Sequence, residues 1–406
     1  MAQRPTPRSR TSRRFSKRGL VAAAALLVSG AAISAEAVVP LRTLLLPPDS
    51  GFLLATASSG SSTYLIAGGR LTQVDAGSWS VRWTLDLAHV CGLGCDRIAA
   101  DETGVVVSGI LRQDDGWHVD IVVTRLDVDG HEVWTRVLRS PLNDFSSSLA
   151  MVGGVVYLTG DSRYDPSTAE PPEYSTFLRR FAPDGEADWT ILERPDPEGV
   201  YTPFTTVTAD ASGAYVVAAD VSDVLPEIRR YDADGVLRWT LPMRGPALTF
   251  MAITGLSVSG TQLVAAGYLN GHLPRERERG PSDAFVISID ATAGEVDWTR
   301  QFGSAATDEV CGVSVDDAGV YVAGTTHGAL PRFEYRGGYS DAFIRAYEAD
   351  GDRAWTRQFG TRRYDDTVGV SSNGTSVTVA GNSDGSIRGS APADGITVYV
   401  RQYPSL

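Results

Sequence analysis

Six Trp-Thr pairs divide the chain: Trp83-Thr84, Trp134-Thr135, Trp189-Thr190, Trp239-Thr240, Trp298-Thr299 and Trp355-Thr356, at spacings of 51, 55, 50, 59 and 57 residues. A period of about 50 residues belongs to arrays of supersecondary units that bury their apolar faces only by stacking on one another. Within a unit the pattern is regular. From Cys311 it reads CGVSVD, the turn DAG, VYVAG, a long loop, DAFIRAY, the turn EADGD and RAWTRQF. Runs of Val, Tyr and Phe bounded by Asp/Gly turns spell four antiparallel strands, a to d, and helical periodicity is nowhere sustained.

A small residue closes the second strand of each unit: Gly68, Gly109, Gly160, Ala219, Gly267, Gly324 and Gly381. The third strand also recurs seven times, yet only six units carry the Trp strand, and the last unit ends at Tyr403-Pro404-Ser405-Leu406. The missing strand stands at the other end of the chain. Pro40-Leu41-Arg42-Thr43-Leu44-Leu45 matches Leu237-Arg238-Trp239-Thr240-Leu241 without its Trp. The expected fold is therefore all-β, a seven-bladed β-propeller of four-stranded antiparallel blades over 38–406, its last blade closed by an N-terminal strand. The six Trp fill the space between neighbouring blades, with the small residue of strand b making room.

Residues 1–37 read as a signal peptide: a basic region from Arg4 to Arg18, the apolar run Gly19 to Ile33, and a small-residue site at Ala35-Glu36-Ala37. As a helix that run rises about 22 Å, short of a hydrocarbon core of about 30 Å, so no transmembrane anchor is expected in the mature chain. Ser12-Arg13-Arg14-Phe15-Ser16-Lys17 approximates a twin-arginine export motif. The expected location is outside the cytoplasm: extracellular, cell surface or periplasmic.

The leader holds 7 of the 36 basic residues and one of the 49 acidic ones, so the mature part is more acidic than the net charge of −13 suggests. Like charge disfavours nucleic acid as a partner. Lys17 is the only lysine, which removes Schiff-base and phosphate-loop chemistry. Cys91 and Cys95 are spaced for a small local disulfide, and Cys311 reads as a buried thiol.

DEVCGVSVDDAGVYVAGTTHG and GGYSDAFIRAYEADGDRAWTRQFG resemble the SBBP-type bacterial seven-bladed propeller repeat. The run from Ile289 to Trp298 is similar to the quinoprotein (PQQ-type) repeat, with its Asp-x-x-x-Gly turn followed by Trp. The first resemblance implies the fold and little about activity, because repeat signatures encode packing. The second raises PQQ and calcium as cofactors, yet the chain has no adjacent Cys pair and no lysine to position a quinone. No cofactor is expected. The turns Asp127-Val128-Asp129-Gly130, Asp232-Ala233-Asp234-Gly235 and Glu348-Ala349-Asp350-Gly351 read as hairpin turns rather than calcium loops, lacking the distal Glu.

No Gly-x-Ser-x-Gly elbow and no His-x-His or His-Glu-x-x-His spacing is present, so no catalytic or metal residue is named. Loop length is the functional signal. The b–c and d–a connections share one face, and the b–c segments 161–174, 268–282, 325–340 and 382–393 exceed what hairpins need. They supply the candidate binding residues Tyr164, His272, Arg275, Arg277, Arg279, Arg332, Tyr335 and Arg336. On the same face the d–a turns bring Asp96, Asp144, Asp308 and Asp365 toward the channel mouth. The sequence thus points to an exported, non-enzymatic propeller that binds a protein, peptide or envelope component. The alternative is a quinoprotein-like or lyase-type enzyme with its site at the channel mouth.

Overall fold

In blade after blade, strand b is buried along its whole length, as in Gly319–Thr326, while strand d alternates exposed and half-buried positions, as in Leu237–Pro242. Burial on both faces is what a strand between two neighbouring sheets requires. The computed structural model describes residues 38–47, 50–113, 118–140, 142–163, 175–195, 201–219, 225–245, 247–387 and 395–406. The leader lies outside the described residues.

Seven four-stranded antiparallel sheets form the seven blades of a β-propeller. The inner strands a are Leu53–Ser59, Cys95–Asp101, Asn143–Val152, Phe204–Asp210, Phe250–Ser259, Asp308–Asp316 and Gly369–Ser372. Each packs beside the next, and the seventh packs beside the first. In the seventh blade the outer strand is Arg42–Leu45, paired antiparallel with Thr397–Pro404 in the register Thr43↔Arg401 and Leu44↔Val400. The two ends of the ring are thereby tied into one sheet.

The Trp residues lie between blades as expected, but a different glycine receives them. A register shift one residue before each Trp, at Arg82, Val133, Asp188, Arg238, Asp297 and Ala354, bulges strand d and swings the indole toward the following blade. There Trp134 covers Gly185 of the c–d turn, where a Cβ would lie 2.7 Å from the ring, and its Nε1–H donates to Pro183 O at 3.0 Å. Trp83 meets Gly130, Trp189 Gly235, Trp239 Gly294 and Trp298 Gly351 in the same way. Their indoles donate to turn carbonyls of Val128, Ala233, Ala291 and Ala349 at 2.9–3.2 Å. The small residues of strand b serve another purpose. A Cβ at Gly109 or Gly324 would strike the backbone of strand a, which bulges toward them at 95/97 and 310/312.

Blade 7 has no c–d turn, and the N-terminal segment replaces it. Val38 is buried against Trp355, and its carbonyl accepts Arg357 Nε–H. Gly185 O and Gly351 O accept from Arg136 and Arg300 in the same way at 2.9 and 2.7 Å. Arg42 occupies the register position that Trp holds elsewhere and donates to Gly77 O, in the c–d turn of blade 1, at 2.7 Å. Cys91 and Cys95 are bridged, with Cα atoms 5.4 Å apart.

Candidate functional site

The face carrying the b–c and d–a connections is built on buried carboxylates. Asp308 opens strand a of blade 6 and is fully buried. It accepts Ser304 N–H at 2.6 Å, the Ser304 hydroxyl at 3.0 Å and the Thr326 hydroxyl at 2.5 Å. Asp365 takes Thr361 N–H, the Thr361 hydroxyl and the Ser383 hydroxyl at 2.5–2.8 Å, and Asp144 takes the hydroxyls of Ser140 and Ser162. Burial raises the pKa of all three. Three of the four acids expected at the channel mouth are therefore turned into the protein, because each stitches a d–a turn to the end of strand b. Asp96 is the exception, half-exposed and paired with Arg97 at 2.9 Å.

A second recurring device fixes the long b–c loops. Gln301, in strand d of blade 5 (Val296–Phe302), accepts Leu273 N–H at 2.9 Å and donates to Gly271 O at 3.0 Å and to Asp283 at 2.7 Å. In blade 6, Gln358 repeats this with Leu330 N–H at 2.8 Å, Gly328 O at 2.9 Å and Asp341 at 2.8 Å. Leu273 and Leu330 plug into the blades beneath. Behind each plug a Pro-Arg turn reverses the chain, closed by Glu276 N–H to Leu273 O and Phe333 N–H to Leu330 O. Arg275 and Arg332 sit in the left-handed region, φ 66° and 75°, with exposed side chains. These loops are long and firmly held.

The structure divides the candidate binding residues between two places. His272, Arg275, Arg277 and Arg279 belong to the blade 5 loop. His272 Nδ1 lies 3.1 Å from Leu273 O, and Arg279 is half-buried beside Glu276 at 4.0 Å. Arg275 edges a groove of about 560 Å³ between blades 4 and 5, whose walls include Met243, Leu248, Met251 and Trp298. Tyr335 and Arg336 belong to a different cleft of about 500 Å³ between blades 6 and 7, with Glu334, Gly360, Thr361, Arg362, Arg363, Gly385 and Ser386. Arg332 stands on the same blade 6 loop, and Tyr164 lies outside the described residues. Among the described residues, Arg275, Arg277, Arg332, Arg336 and Arg362 make no ion pair within 4.0 Å.

Arg362 and Arg363 were not foreseen as site residues. Their signal was the adjacent Arg pair in the d–a turn Gly360-Thr361-Arg362-Arg363, a turn read only for its acids. Tyr339 was missed as well. It is 68% exposed, edge-on to His327 with ring centroids 5.0 Å apart, and 6.1 Å from Tyr364. Burial and the Asp366 carboxylate, which accepts the Tyr364 hydroxyl at 2.7 Å, raise the Tyr364 pKa. Cys311 is half-buried at the bulge of blade 6, and burial pushes its thiol up to about 12.

The Asp-Gly turns spend their carboxylates locally. Asp127 accepts N–H from Asp129 and His131, both at 2.9 Å, and Asp232 from Asp234 and Val236 at 3.0 and 2.8 Å. Among the described residues no group of three or more His, Cys, Asp or Glu could hold a metal ion. The bridged Cys91 and Cys95 are packed into the core among Leu87, Val107 and Leu111, and no lysine lies in the propeller.

No family model and no curated protein matches the chain. Solved structures with a similar fold include a europium-containing methanol dehydrogenase, 10% identical with a TM-score of 0.42, covering 90% of this chain and 93% of that one. The WD40 domain of SCAP from fission yeast is also similar: 10% identical, TM-score 0.43, covering 90% and 98%.

Proposed function

We propose that the chain is an exported, non-enzymatic propeller that holds a protein, peptide or cell-envelope component on the face of its b–c and d–a connections. In this reading its repeats are of the SBBP type. The observation that carries it is the pairing of rigidity with unspent charge. Gln301 and Gln358 lock the loops of blades 5 and 6, and those loops present Arg275, Arg277, Arg332 and Arg336 to solvent with no carboxylate partner among the described residues. A guanidinium fork held in place and left unpaired suits a bidentate anionic group on a partner.

Replacing Arg275, Arg277, Arg332 and Arg336 together by Ala tests this. The variant should melt at the wild-type temperature and lose co-sedimentation with bacterial envelope fragments. Equal co-sedimentation of both proteins would reject the face.

A further inference from the structure

The cleft between blades 6 and 7 has a finished floor and an uncommitted rim. Gly360 lies so close to the buried carboxylates of Asp341 and Asp365 that no side chain fits there, and Gly385 presses on Thr361. Arg336 N–H donates to Asp341 at 3.0 Å, and Tyr364 N–H to Asp384 at 2.7 Å, so three loops from two blades are stitched into one surface. Asp341 Oδ1, buried in the floor beside Gly360, accepts no hydrogen bond among the described residues, whereas the N–H groups of Arg336 and Tyr364 are satisfied within the fold. The guanidinium groups above it are not: Arg336 and Arg362 are exposed without an ion pair among the described residues, and Arg363 reaches only Asp384 O at 3.5 Å. Among the described residues of the lining, Glu334 is the single carboxylate against three arginines.

One step away, the segment Gly337-Gly338-Tyr339 carries an exposed aromatic shelf. Tyr335 donates to Gly338 O at 3.1 Å, and Gly338 packs on the backbone of Arg363, which fixes the shelf to the cleft. The Tyr339 ring is held by His327 and Tyr364 yet offers 68% of its surface to solvent.

Resting on the binding role proposed above, we propose that this site takes an anionic polysaccharide. The carboxylate or sulfate groups would sit on Arg336 and Arg362, and a sugar ring would lie against Tyr339. A flat aromatic face suits the C–H side of a pyranose, and paired guanidinium groups suit oxyanions. An extended peptide would look for a free strand edge or an apolar pocket. Among the described residues this surface offers neither, since its loops are cross-tied and its walls are Glu334, Tyr335 and Arg, Thr, Ser and Gly residues. A lipid surface would call for apolar groups to insert, and Tyr339 stands alone in that respect.

The test is calorimetric titration of the protein with polygalacturonate and chondroitin sulfate oligomers, with fully methyl-esterified polygalacturonate as the uncharged control and polyglutamate as the peptide arm. At least one anionic glycan should bind and the ester should not. Raising NaCl from about 50 to about 300 mM should weaken binding. Arg336→Gln with Arg362→Gln should weaken it about tenfold or more. Tyr339→Ala should weaken it and Tyr339→Phe should not. All these side chains are exposed, so unchanged melting temperatures certify the fold. Absence of binding by both anionic glycans, indifference to the Arg changes, or equal binding of polyglutamate without a Tyr339 effect would each overturn the assignment. If envelope retention depends on Arg275, Arg277, Arg332 and Arg336 while both glycans fail, the ligand class falls and the binding role stands.

Discussion

Each indole of blades 1 to 5 is held by three things at once: a bulge that aims it, a glycine that admits it and a turn carbonyl that takes its N–H. Trp134 is the most buried of these five. Trp134→Ala should cost about 3–5 kcal/mol of unfolding free energy in urea titration, and Trp134→Phe clearly less, since it retains most of the packing. Gly185→Ala should also destabilise, because its φ of 83° is strained for alanine and the new methyl meets the indole. Equal stability of Gly185→Ala and wild type would mean that the turn does not seat the ring. The buried Asp308 gives a pH signature. Burial raises its folded pKa above the ordinary 3.8, so the folded state binds that proton more tightly than the unfolded chain. Its contribution is therefore largest below about pH 3.8 and declines as pH rises through the raised value. Asn cannot titrate, so the stability of wild type relative to Asp308→Asn should grow as pH falls from about 7 to about 4. A gap that shrinks over that range would contradict the placement.

At the scale of elements, the long b–c loops are what distinguish blades 5 and 6. Gln358→Ala removes three hydrogen bonds from the blade 6 loop and should cost about 1–3 kcal/mol. Amide exchange at Leu330 should accelerate while the core strand Gly319–Thr326 stays protected, and an unchanged Leu330 amide would show the loop to be held by something else. Removing the Cys91–Cys95 bridge by Cys95→Ser should cost about 2 kcal/mol for so short a loop. The strands themselves were legible from the chain, because alternation and Asp-Gly turns are local signals. The role of the glycines was not. Gly185 and Gly351 matter for a ring about 50 residues earlier, and no window of sequence links them to Trp134 and Trp298. The acids show the same limit. Asp144, Asp308 and Asp365 stand in the turns expected to line the channel, but the hydroxyls that turn them inward come from strand b of the same blade and from the preceding turn. The basic cleft was half legible, since Tyr335 and Arg336 come from a long loop, whereas Arg362 and Arg363 join them only through the contact between blades 6 and 7.

For the molecule as a whole, everything about which side chains share a face depends on the ring being shut between its ends. Val38, Arg42 and Leu44 do locally what a c–d turn and a Trp strand do in the other blades, so the N-terminal strand completes the repeat and replaces its missing interface. Blade 7 should accordingly be the blade most sensitive to that segment. Leu44→Pro, which breaks the pairing with Val400, should destabilise the protein and expose the outer edge of Thr397–Pro404, read as accelerated amide exchange at Val400 and Gln402, whose N–H groups face the N-terminal strand. The most direct test is a covalent one: Thr43→Cys with Arg401→Cys places thiols on partnered residues of the two terminal strands. Mild oxidation of the folded double variant should give an intramolecular disulfide joining the peptides that carry positions 43 and 401, found by mass mapping. Failure to form that crosslink in native protein, or its formation only between molecules, would contradict a ring closed on itself.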